Sequence, residues 1–562
     1  MRKLLLILLF AFGGIGFAQE QTWSYLRLQE GAQMPSFEQI DGDLVYKGHD
    51  VKLKNLLENK TILSIRPAFV FSKKPKLQRT YLFICKEPDL AQQLVSNFNQ
   101  LFEFSETLSE DDAKVFYPND YGSTNPFGSQ MSEQLDLDYL DYLEVPKAWY
   151  YTTGSRDIII GISDGRLDTT NIDFKGKSKQ LRLSSVSNGH GYSISANAAA
   201  QGNNGYGIPG ICYDCSLYGT SYGYFKTLEQ LIELSYAGAQ VINCSWGSHI
   251  YYETAQEAIN EIYENGTIVV AAAHNKSWQD NKGKKPYYPA SYDKVISVSS
   301  VMHRYDTITD NLLVNKKGTR YAANIKNYVG RTIGFKDNDY SKEHHIYPVS
   351  TASLNPQVDI LAPSVGLFSF SKLILKDTLS YSEFATTSGA TPLVSGTVGL
   401  MLSLNKCLSF EEVESILKMS STNIDYIEAN LPYKGNYGAG ALNTGRAVTL
   451  THHLMSPEEV ATIENQDFTR WEFVINSLAK NTMLKNQRFA ESATLNITAS
   501  QSIELGEGVL LAPNSDGAIL LSLDPALEIN CPEREPENRV LIMPDKNKEF
   551  KERKFGQKND GN

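Results

Sequence analysis

Short apolar runs alternate with helix-like segments through the middle of the chain, from Asp157 to about Ala447. The runs lie at residues 158–162, 216–220, 241–244, 267–273, 295–301 and 358–361. Each run is flanked by turn or helix signals, as central strands are when helices cover both faces of a parallel sheet. The pattern predicts an α/β fold in which a mostly parallel sheet is flanked by helices.

The first hundred residues show a different order of elements. Residues 25–28, 53–59, 62–70, 79–85, 89–101 and 102–108 are predicted as strand, helix, strand, strand, helix and strand. This is the split βαβ order of a small α+β domain. A stretch rich in Asn, Ser, Gly, Pro and Asp follows at 111–136, and it predicts a linker.

The C-terminal part of the chain changes pattern again. Residues 488–531 alternate apolar and polar side chains, which predicts a small β module, and no internal repeat is evident. Residues 452–487, which include Pro457 and Glu458, are interpreted as a linker. Residues 532–562 are interpreted as a charged tail.

Residues 1–18 have the pattern of a secretory signal peptide. Arg2 and Lys3 precede an apolar run at 4–12, and small residues flank the expected cut before Gln19. A membrane anchor is the alternative, but the run is far shorter than the roughly 20 residues that span a bilayer. We therefore expect a protein that is secreted, or that lies at the cell surface or in the periplasm, with no transmembrane segment.

Length, charge and cysteine content narrow the class of protein. The chain of 562 residues is several times longer than a domain of about 100–150 residues, so several folded units are expected. The net charge of −11 argues against a nucleic-acid partner. The Cys212 and Cys215 spacing fits a zinc pair, a redox motif or a loop disulfide. Zinc needs a second pair that the sequence lacks, so a loop disulfide or two free thiols is favoured.

Three residues along the predicted sheet have the chemistry of acyl transfer to a serine, which needs a nucleophile, a histidine base and a carboxylate. Asp164 follows the run at 158–162, at a strand's carboxyl end, where open α/β sheets place their sites. His190 stands between two glycines. Ser388 precedes the helix-like run 393–404, so its backbone N–H can serve as an oxyanion donor.

Each of these residues also has an ordinary structural explanation. Serine is a preferred helix N-cap, a histidine can be buried and hydrogen-bonded, and the Asp164 carboxylate can belong to a turn. The joint occurrence of all of them at strand ends and helix starts favours the catalytic interpretation over the structural one.

The order Asp164, His190, Ser388 is that of the subtilisin group among serine-protease triads, and the surrounding motifs resemble that family. The matching segments are Ile162-Ser163-Asp164, His190-Gly191, Ser245-Trp246-Gly247, residues 269–275, Tyr288-Pro289-Ala290, residues 356–363 and Thr387-Ser388 with Ala390 and Pro392. The resemblance implies a subtilisin-like peptidase domain at 118–451. Residues 19–117 resemble the family's inhibitory propeptide more weakly.

The resemblance also implies roles for single residues. His190 would be the base for Ser388, Asp164 would fix the imidazole tautomer, and Asn275 Nδ2 would bind the oxyanion with the Ser388 N–H. The chemistry needs no cofactor. Structural calcium is common in the family, but no ligand cluster in this sequence is specific enough to name.

The substrate contacts are implied in the same way. Ser245, Trp246 and Gly247 would pair with the substrate backbone, and His274 would line the specificity pocket where the family has glycine. A further departure is that Gly165 and Arg166 follow Asp164, where the family has Ser or Thr and then Gly. Other departures are Ser193 in place of a second histidine and Gly389 in place of methionine.

The sequence therefore predicts a secreted serine endopeptidase that acts on protein or peptide substrates and carries its own propeptide as an intramolecular inhibitor. Two other hypotheses stay open. One is a catalytically inactive subtilase fold used for binding or surface attachment. The other is an adhesin whose function lies in the C-terminal β module.

Overall fold

The computed structural model describes residues 22–531, apart from 41–42, 70–73, 109–113, 122–123, 128–129, 135, 183–188, 223–224, 277, 279–284, 333, 343–352 and 371–380. The chain folds as two units, Met1–Val115 and Phe116–Asn562. The predicted signal peptide at 1–18 and the predicted charged tail at 532–562 lie outside the described residues.

A four-stranded antiparallel sheet with helices forms the N-terminal unit. Its elements are β1 (Thr22–Leu28), β2 (Phe37–Ile40), β3 (Asp43–Tyr46), α1 (Val51–Leu57), β4 (Ile62–Pro67), α2 (Pro75–Gln78), β5 (Thr80–Cys85), α3 (Leu90–Asn97) and β6 (Phe102–Thr107). The sheet order is β4-β5-β1-β6, and β2 pairs with β3 in a separate hairpin. The predicted α+β order of strands and helices is confirmed. The hairpin was not predicted, because its two strands are short and partly polar.

One parallel sheet forms the centre of the second unit. The strands of this unit before its C-terminal module are β7 (Thr124–Phe127), β8 (Gln130–Gln134), β9 (Ile159–Ser163), β10 (Ser178–Gln180), β11 (Ser216–Thr220), β12 (Val241–Cys244), β13 (Ile268–Ala272), β14 (Val295–Val301), β15 (Leu312–Val314), β16 (Arg320–Ala322), β17 (Ile360–Pro363), β18 (Val365–Phe370) and β19 (Tyr381–Ala385). Seven of them pair in parallel in the order β10-β11-β9-β12-β13-β14-β17. The predicted parallel sheet is confirmed, because six of its strands coincide with the apolar runs. The seventh strand, β10, is a short polar strand at the sheet edge.

Helices cover this sheet, and one of them is buried along most of its length. The helices are α4 (Asp138–Tyr142), α5 (Val145–Tyr151), α6 (Gly189–Ala199), α7 (Glu229–Tyr236), α8 (Glu253–Glu264), α9 (Thr387–Leu404), α10 (Phe410–Ser420) and α11 (Thr444–Met455). Helix α9 packs against α6 and several strands of the sheet. A Cβ at Gly396 would lie 2.6 Å from Ile211 Cβ and 2.8 Å from Ala198 O, so only glycine allows this close approach of α9.

The C-terminal module is a parallel β-helix of three coils. Its strands are β20 (Val460–Glu464), β21 (Asp467–Phe468), β22 (Glu472–Ser477), β23 (Asn481–Lys485), β24 (Arg488–Glu491), β25 (Thr494–Ala499), β26 (Ile503–Leu505), β27 (Leu510–Pro513) and β28 (Ile519–Leu523). They form three sheets, β20-β23-β26, β21-β24-β27 and β22-β25-β28, and every pairing is parallel. The pairing of Val460 with Asn481 and of Leu495 with Ile519 shows that each coil adds about 21 to 24 residues.

The prediction of a linker at 452–487 was wrong. Residues up to Met455 complete α11, and residues 460–485 form the first coil of the β-helix and the start of the second. Ile463 and Phe473 are at most 1% exposed and belong to the same hydrophobic core as the helices of the central sheet. Pro457 and Glu458 mark a turn into the module. The strands of the first coil were not predicted because they are short and follow the loop-like residues Pro457 and Glu458.

A buried cluster of charges packs against an aromatic ring of the β-helix. The ammonium group of Lys418, on α10, lies 2.9 Å from Asp359 Oδ1 and 2.6 Å from Glu414 Oε1. The Lys418 side chain is only 2% exposed, and its ammonium group stands 4.7 Å from the ring centre of Trp471, in the β-helix. A buried cation of this kind is tolerated only while its partners remain in place. The module is therefore an integral part of this unit.

The cysteines divide into two pairs and two free thiols. Cys212 pairs with Cys215, which selects the loop disulfide among the predicted alternatives, and Cys407 pairs with Cys531. Cys85 and Cys244 are free and buried. Within the described ranges, no helix is both long and apolar enough to cross a membrane.

Candidate active site

Strand ends and helix starts meet at the carboxyl edge of the central sheet. Asp164 follows β9, Ser245 follows β12, and Asn275 lies just beyond β13. These three strands are neighbours in the sheet, so their carboxyl ends share one edge. Helices α6 and α9, which carry His190 and Ser388 at their starts, pack against each other.

Asp164 and His190 form a direct hydrogen bond. The Nδ1 atom of His190 lies 2.8 Å from Asp164 Oδ1, and because a carboxylate only accepts, Nδ1 carries the proton. Asp164 is completely buried, whereas about a third of the His190 side chain is exposed (32%). Burial works against a charged imidazole, but the charge of Asp164 and the hydrogen bond to it raise the pKa of His190 above its usual value.

The approach of α6 to Asp164 depends on glycine. A Cβ at Gly191 would lie 2.3 Å from the carbonyl oxygen of Gly165, closer than atoms in a folded protein come. The His190-Gly191 pair therefore lets the first turn of α6 press against the turn that follows Asp164. This contact sets the position of the imidazole relative to the carboxylate.

Ser388 is the second residue of α9, and its main chain and side chain both bond to Ser245. Pro392 has no N–H to donate to the Ser388 carbonyl four residues earlier. The hydroxyl of Ser245 donates to that carbonyl instead, at 2.9 Å. The hydroxyl of Ser388 donates to the Ser245 carbonyl at 3.2 Å. The start of α9 is thus fixed to the end of β12, and Ser388 stays 7% exposed.

Asn275 is oriented by the residue that precedes the serine. Its Oδ1 accepts from the backbone N–H of Thr387 at 2.8 Å and from the Thr387 hydroxyl at 2.7 Å. The backbone N–H can only donate, so the amide orientation is fixed with oxygen toward Thr387. Its donor end, Nδ2, therefore faces away from Thr387.

His274 lies beside the segment that the sequence assigns to substrate binding. Its Cδ2 is 3.7 Å from the position a Cβ of Gly247 would occupy, and its ring stacks on Tyr287 with centroids 4.2 Å apart. The backbone φ of 83° is one that glycine adopts freely and other residues adopt at a cost of about 1–2 kcal/mol. Burial, helped by the nearby Lys276 and His249, lowers the pKa of His274 to about 4.

The side chain of Trp246 points away from the site. It is 4% exposed, and its Nε1 donates to the carbonyl of Ser163 at 2.8 Å. Of the predicted segment 245–247, Trp246 could therefore offer a substrate only its backbone. The next residue, Ser248, pairs with Tyr288 through two backbone hydrogen bonds of 2.7 Å.

Two further side chains at this site were not predicted from the sequence. The hydroxyl of Tyr222 donates to Asp164 Oδ1 at 2.9 Å. Asn243 Nδ2 donates to the hydroxyl of Ser245 at 2.9 Å and thereby orients it. Tyr222 stands just beyond the carboxyl end of β11, so the rule that located Asp164 could also have drawn attention to Tyr222.

Comparison with known proteins assigns the chain to a family. The model of the subtilase family matches residues 152–440, and the chain belongs to this family of serine proteases. It is 30% identical over 228 residues to the thermophilic serine proteinase of Bacillus sp. (strain AK1), covering 38% of this chain and 52% of that protein. It is 26% identical over 216 residues to the minor extracellular protease Epr of Bacillus subtilis (strain 168), covering 36% of this chain and 33% of that protein.

Subtilisin DY of Bacillus licheniformis is a shorter relative. It is 25% identical over 280 residues, which cover 48% of this chain and 85% of subtilisin DY. By contrast, the match spans only about a third of Epr and about half of the strain AK1 proteinase.

In the part of the chain that the structure describes, no group of three or more His, Cys, Asp or Glu side chains is placed to hold a metal ion.

Proposed function

We propose that this chain is a secreted serine endopeptidase that forms its acyl-enzyme on Ser388. The observation that carries the proposal is the 2.8 Å hydrogen bond between the buried Asp164 carboxylate and His190 Nδ1. A buried carboxylate on Nδ1 leaves Nε2 as the basic atom of the imidazole, which is what a serine nucleophile requires. Membership of the subtilase family supports the same chemistry.

The reaction proceeds in two half-reactions. The hydroxyl of Ser388 turns from the Ser245 carbonyl toward His190, and Nε2 takes its proton as Oγ attacks the substrate carbonyl carbon. The tetrahedral intermediate collapses when the C–N bond breaks and His190 gives the proton to the leaving amine. In the second half-reaction His190 takes a proton from water as the water oxygen attacks the acyl-enzyme ester. The ester bond to Ser388 then breaks, His190 returns the proton to Ser388 Oγ, and the carboxylic acid product is released. These steps use no cofactor.

The developing oxyanion is held by two donors, the backbone N–H of Ser388 and Nδ2 of Asn275. Support comes from Thr387, which binds Asn275 Oδ1 and so directs the other end of the amide. The backbone of residues 245–247 extends the site along the substrate main chain.

Asn275→Ala should lower kcat by roughly a hundred- to a thousandfold and leave KM nearly unchanged, because the lost donor acts mainly in the transition state. Steady-state kinetics on a peptide substrate measure both constants. Thr387→Val is the matched control, since it removes one of the two bonds that orient Asn275 and keeps the donor. It should lose much less activity. Equal kcat values for Asn275→Ala and wild type would exclude Asn275 as an oxyanion donor.

Endopeptidase action is tested with a peptide blocked at both ends and carrying an internal quenched fluorophore. An exopeptidase needs a free terminus and leaves this substrate intact, whereas the proposed enzyme cuts inside it. Cleavage that requires a free amino or carboxyl terminus would contradict the proposal.

His274 is proposed to narrow the primary specificity pocket. Its ring lies against Gly247 and Tyr287, and it stays neutral at the pH at which the triad works, because its pKa is about 4. A ring at the pocket wall occupies space that a large substrate side chain would need. The enzyme should therefore prefer small or medium side chains before the scissile bond.

His274→Gly should raise kcat/KM for Phe or Leu substrates relative to Ala substrates by at least about tenfold, or about 1.4 kcal/mol. His274→Ala is the matched control, because it opens the same space but keeps a side chain at φ 83°. Both variants should shift specificity, and His274→Gly should be the more thermally stable of the two, because glycine adopts this φ without strain. A wild-type profile that already favours Phe and does not move in either variant would place the ring outside the pocket.

Residues 19–117 are proposed to act as an inhibitory propeptide that self-cleavage removes after export. The separate antiparallel α+β unit at the N-terminal end and the signal-like residues 1–18 support this proposal.

A further inference from the structure

Tyr222 reaches the Asp164–His190 pair from just beyond β11, the strand that pairs with β9. Its hydroxyl lies 2.9 Å from Asp164 Oδ1 and 3.2 Å from His190 Nδ1. The side chain is 8% exposed and packs in a core cluster with Leu228, Ile242 and Trp246. Its backbone carbonyl accepts from Gln230 Nε2 at 2.7 Å, so the residue is held from both ends.

The environment of Asp164 makes a hydrogen bond from the Tyr222 hydroxyl important. The carboxylate is fully buried, and the hydrogen bonds that the structure gives it all end on Oδ1. Among the described residues, its other oxygen, Oδ2, has no hydrogen-bond partner. The next residue is Gly165, which contributes its backbone N–H but has no side chain to donate. A buried carboxylate with few hydrogen-bond donors is poorly fixed in orientation and has a high affinity for a nearby proton.

We propose that Tyr222 is a positioning residue, which fixes Asp164 against His190 and moderates the basicity of the imidazole. The proposal rests on the catalytic role of these two residues given above. The phenol shares Oδ1 with the imidazole N–H, so it restricts the carboxylate to the orientation in which His190 is bound. Tyr222 therefore supplies the side-chain hydrogen bond to Asp164 that Gly165 cannot supply.

The hydrogen bond from Tyr222 to Asp164 determines in which direction the pKa of His190 changes. A hydrogen bond from Tyr222 disperses the negative charge on Oδ1, which weakens the attraction of Asp164 for a proton on His190. Besides Asp164 and Tyr222, the titratable group that faces this pair in the described structure is Cys244, at the end of β12. Burial and the charge of Asp164 raise the pKa of Cys244 well above its usual value, so the thiol is neutral. Loss of the phenol should therefore raise the pKa of His190.

Tyr222→Phe is the variant that tests the proposal, because it removes the hydroxyl and keeps the buried ring. We expect kcat/KM at neutral pH to fall about tenfold, equivalent to about 1.4 kcal/mol. We expect the acid limb of the pH profile to move up by about half a pH unit. His190 must be neutral to act as a base, so a raised pKa removes activity at a higher pH as the solution is acidified.

Tyr292→Phe is the matched control. Tyr292 is a buried tyrosine of the same core cluster, and its hydroxyl bonds to the backbone of Tyr252 rather than to the triad. It should lose some thermal stability and keep the wild-type pH profile. If Tyr222→Phe behaves like Tyr292→Phe, with an unmoved acid limb, Tyr222 is a packing residue and the proposal is wrong.

A second measurement does not depend on hydrolysis. The pKa of His190 can be followed by NMR in protein labelled at histidine nitrogen, with a His190→Gln sample to assign its signal among the nine histidines. A higher His190 pKa in Tyr222→Phe than in wild type supports the proposal even if the protein cleaves no peptide, in which case only the proposed function fails. Identical His190 titrations in the two proteins would overturn the role of Tyr222 whatever the activity.

Discussion

A Ser388→Ala protein should hydrolyse peptides no faster than background. The nucleophile and the base act as a unit, so removing one removes nearly the whole contribution of the triad. The expected loss is about a millionfold, the scale known for the same change in subtilisin itself rather than one obtained from this structure. Initial rates on the blocked, quenched peptide measure it.

The matched control is Ser403→Ala in the same helix. Ser403 donates to the carbonyl of Gly399 within α9, far along the helix from Ser388. Both variants replace a serine of α9 by alanine, so a general effect on the helix would appear in both. The Ser403 variant should keep wild-type activity. More than a few per cent of activity in Ser388→Ala would refute the assignment of the nucleophile.

The same variant tests the origin of the mature protein. If self-cleavage removes the N-terminal unit, wild-type protein should begin near residue 118 and Ser388→Ala should still carry residues 19–117. N-terminal sequencing of both purified proteins distinguishes the outcomes. Identical trimming in the two proteins would show that self-cleavage is not needed to remove the N-terminal unit.

Ending the chain after Ser456 should abolish activity by a different route, through loss of folding. The truncation removes Ile463, Phe468 and Phe473, which are each at most 1% exposed and pack in the core shared with α10 and α11. Each such side chain contributes about 1.5–3 kcal/mol through burial, against a total stability of about 5–15 kcal/mol for a typical domain. The truncation also removes the Trp471 ring that covers the ammonium group of Lys418. One side of this buried charge is then exposed to water.

Solubility, thermal unfolding and peptide hydrolysis together measure the effect of this truncation. A chain that ends after Cys531 is the control, because it keeps every residue of the β-helix and the Cys407–Cys531 disulfide. The control should unfold at the wild-type temperature, and the shorter chain should be insoluble or unfolded. A soluble, active protein that ends at Ser456 would mean that the β-helix is an independent module, as an adhesive or surface-attachment function would favour.

The central sheet could be predicted from sequence because its strands are buried on both faces. Val241–Cys244 and Val295–Val301 are buried at every position and are rich in β-branched apolar residues, so they stand out between more polar segments. The polar strand Ser178–Gln180 has one neighbour and a solvent-facing side, and no such signal marks it. Residues 488–531 of the β-helix were predicted as β structure and its first coil as part of a linker, since the coils repeat a spacing and an inward apolar face but not a residue motif.

The site was predictable to the extent that it follows topology. Asp164 lies beyond a strand end, and His190 and Ser388 begin helices, so these three candidates follow from local pattern. Asn275 was named from the resemblance to the family. Tyr222 and Ser245 act through contacts between segments that are distant in sequence. Their hydrogen bonds to Asp164 and Ser388 depend on how β11, β12 and α9 are placed, which no local pattern specifies.

Labelling with a fluorophosphonate probe tests the central claim most directly, because the probe forms a covalent bond only with a serine that a neighbouring base activates. Purified protein is incubated with the probe, digested and analysed by mass spectrometry to locate the modified residue. The proposed mechanism predicts labelling at Ser388 that disappears in His190→Ala. Absence of labelling in folded wild-type protein, or labelling of a different serine, would contradict it.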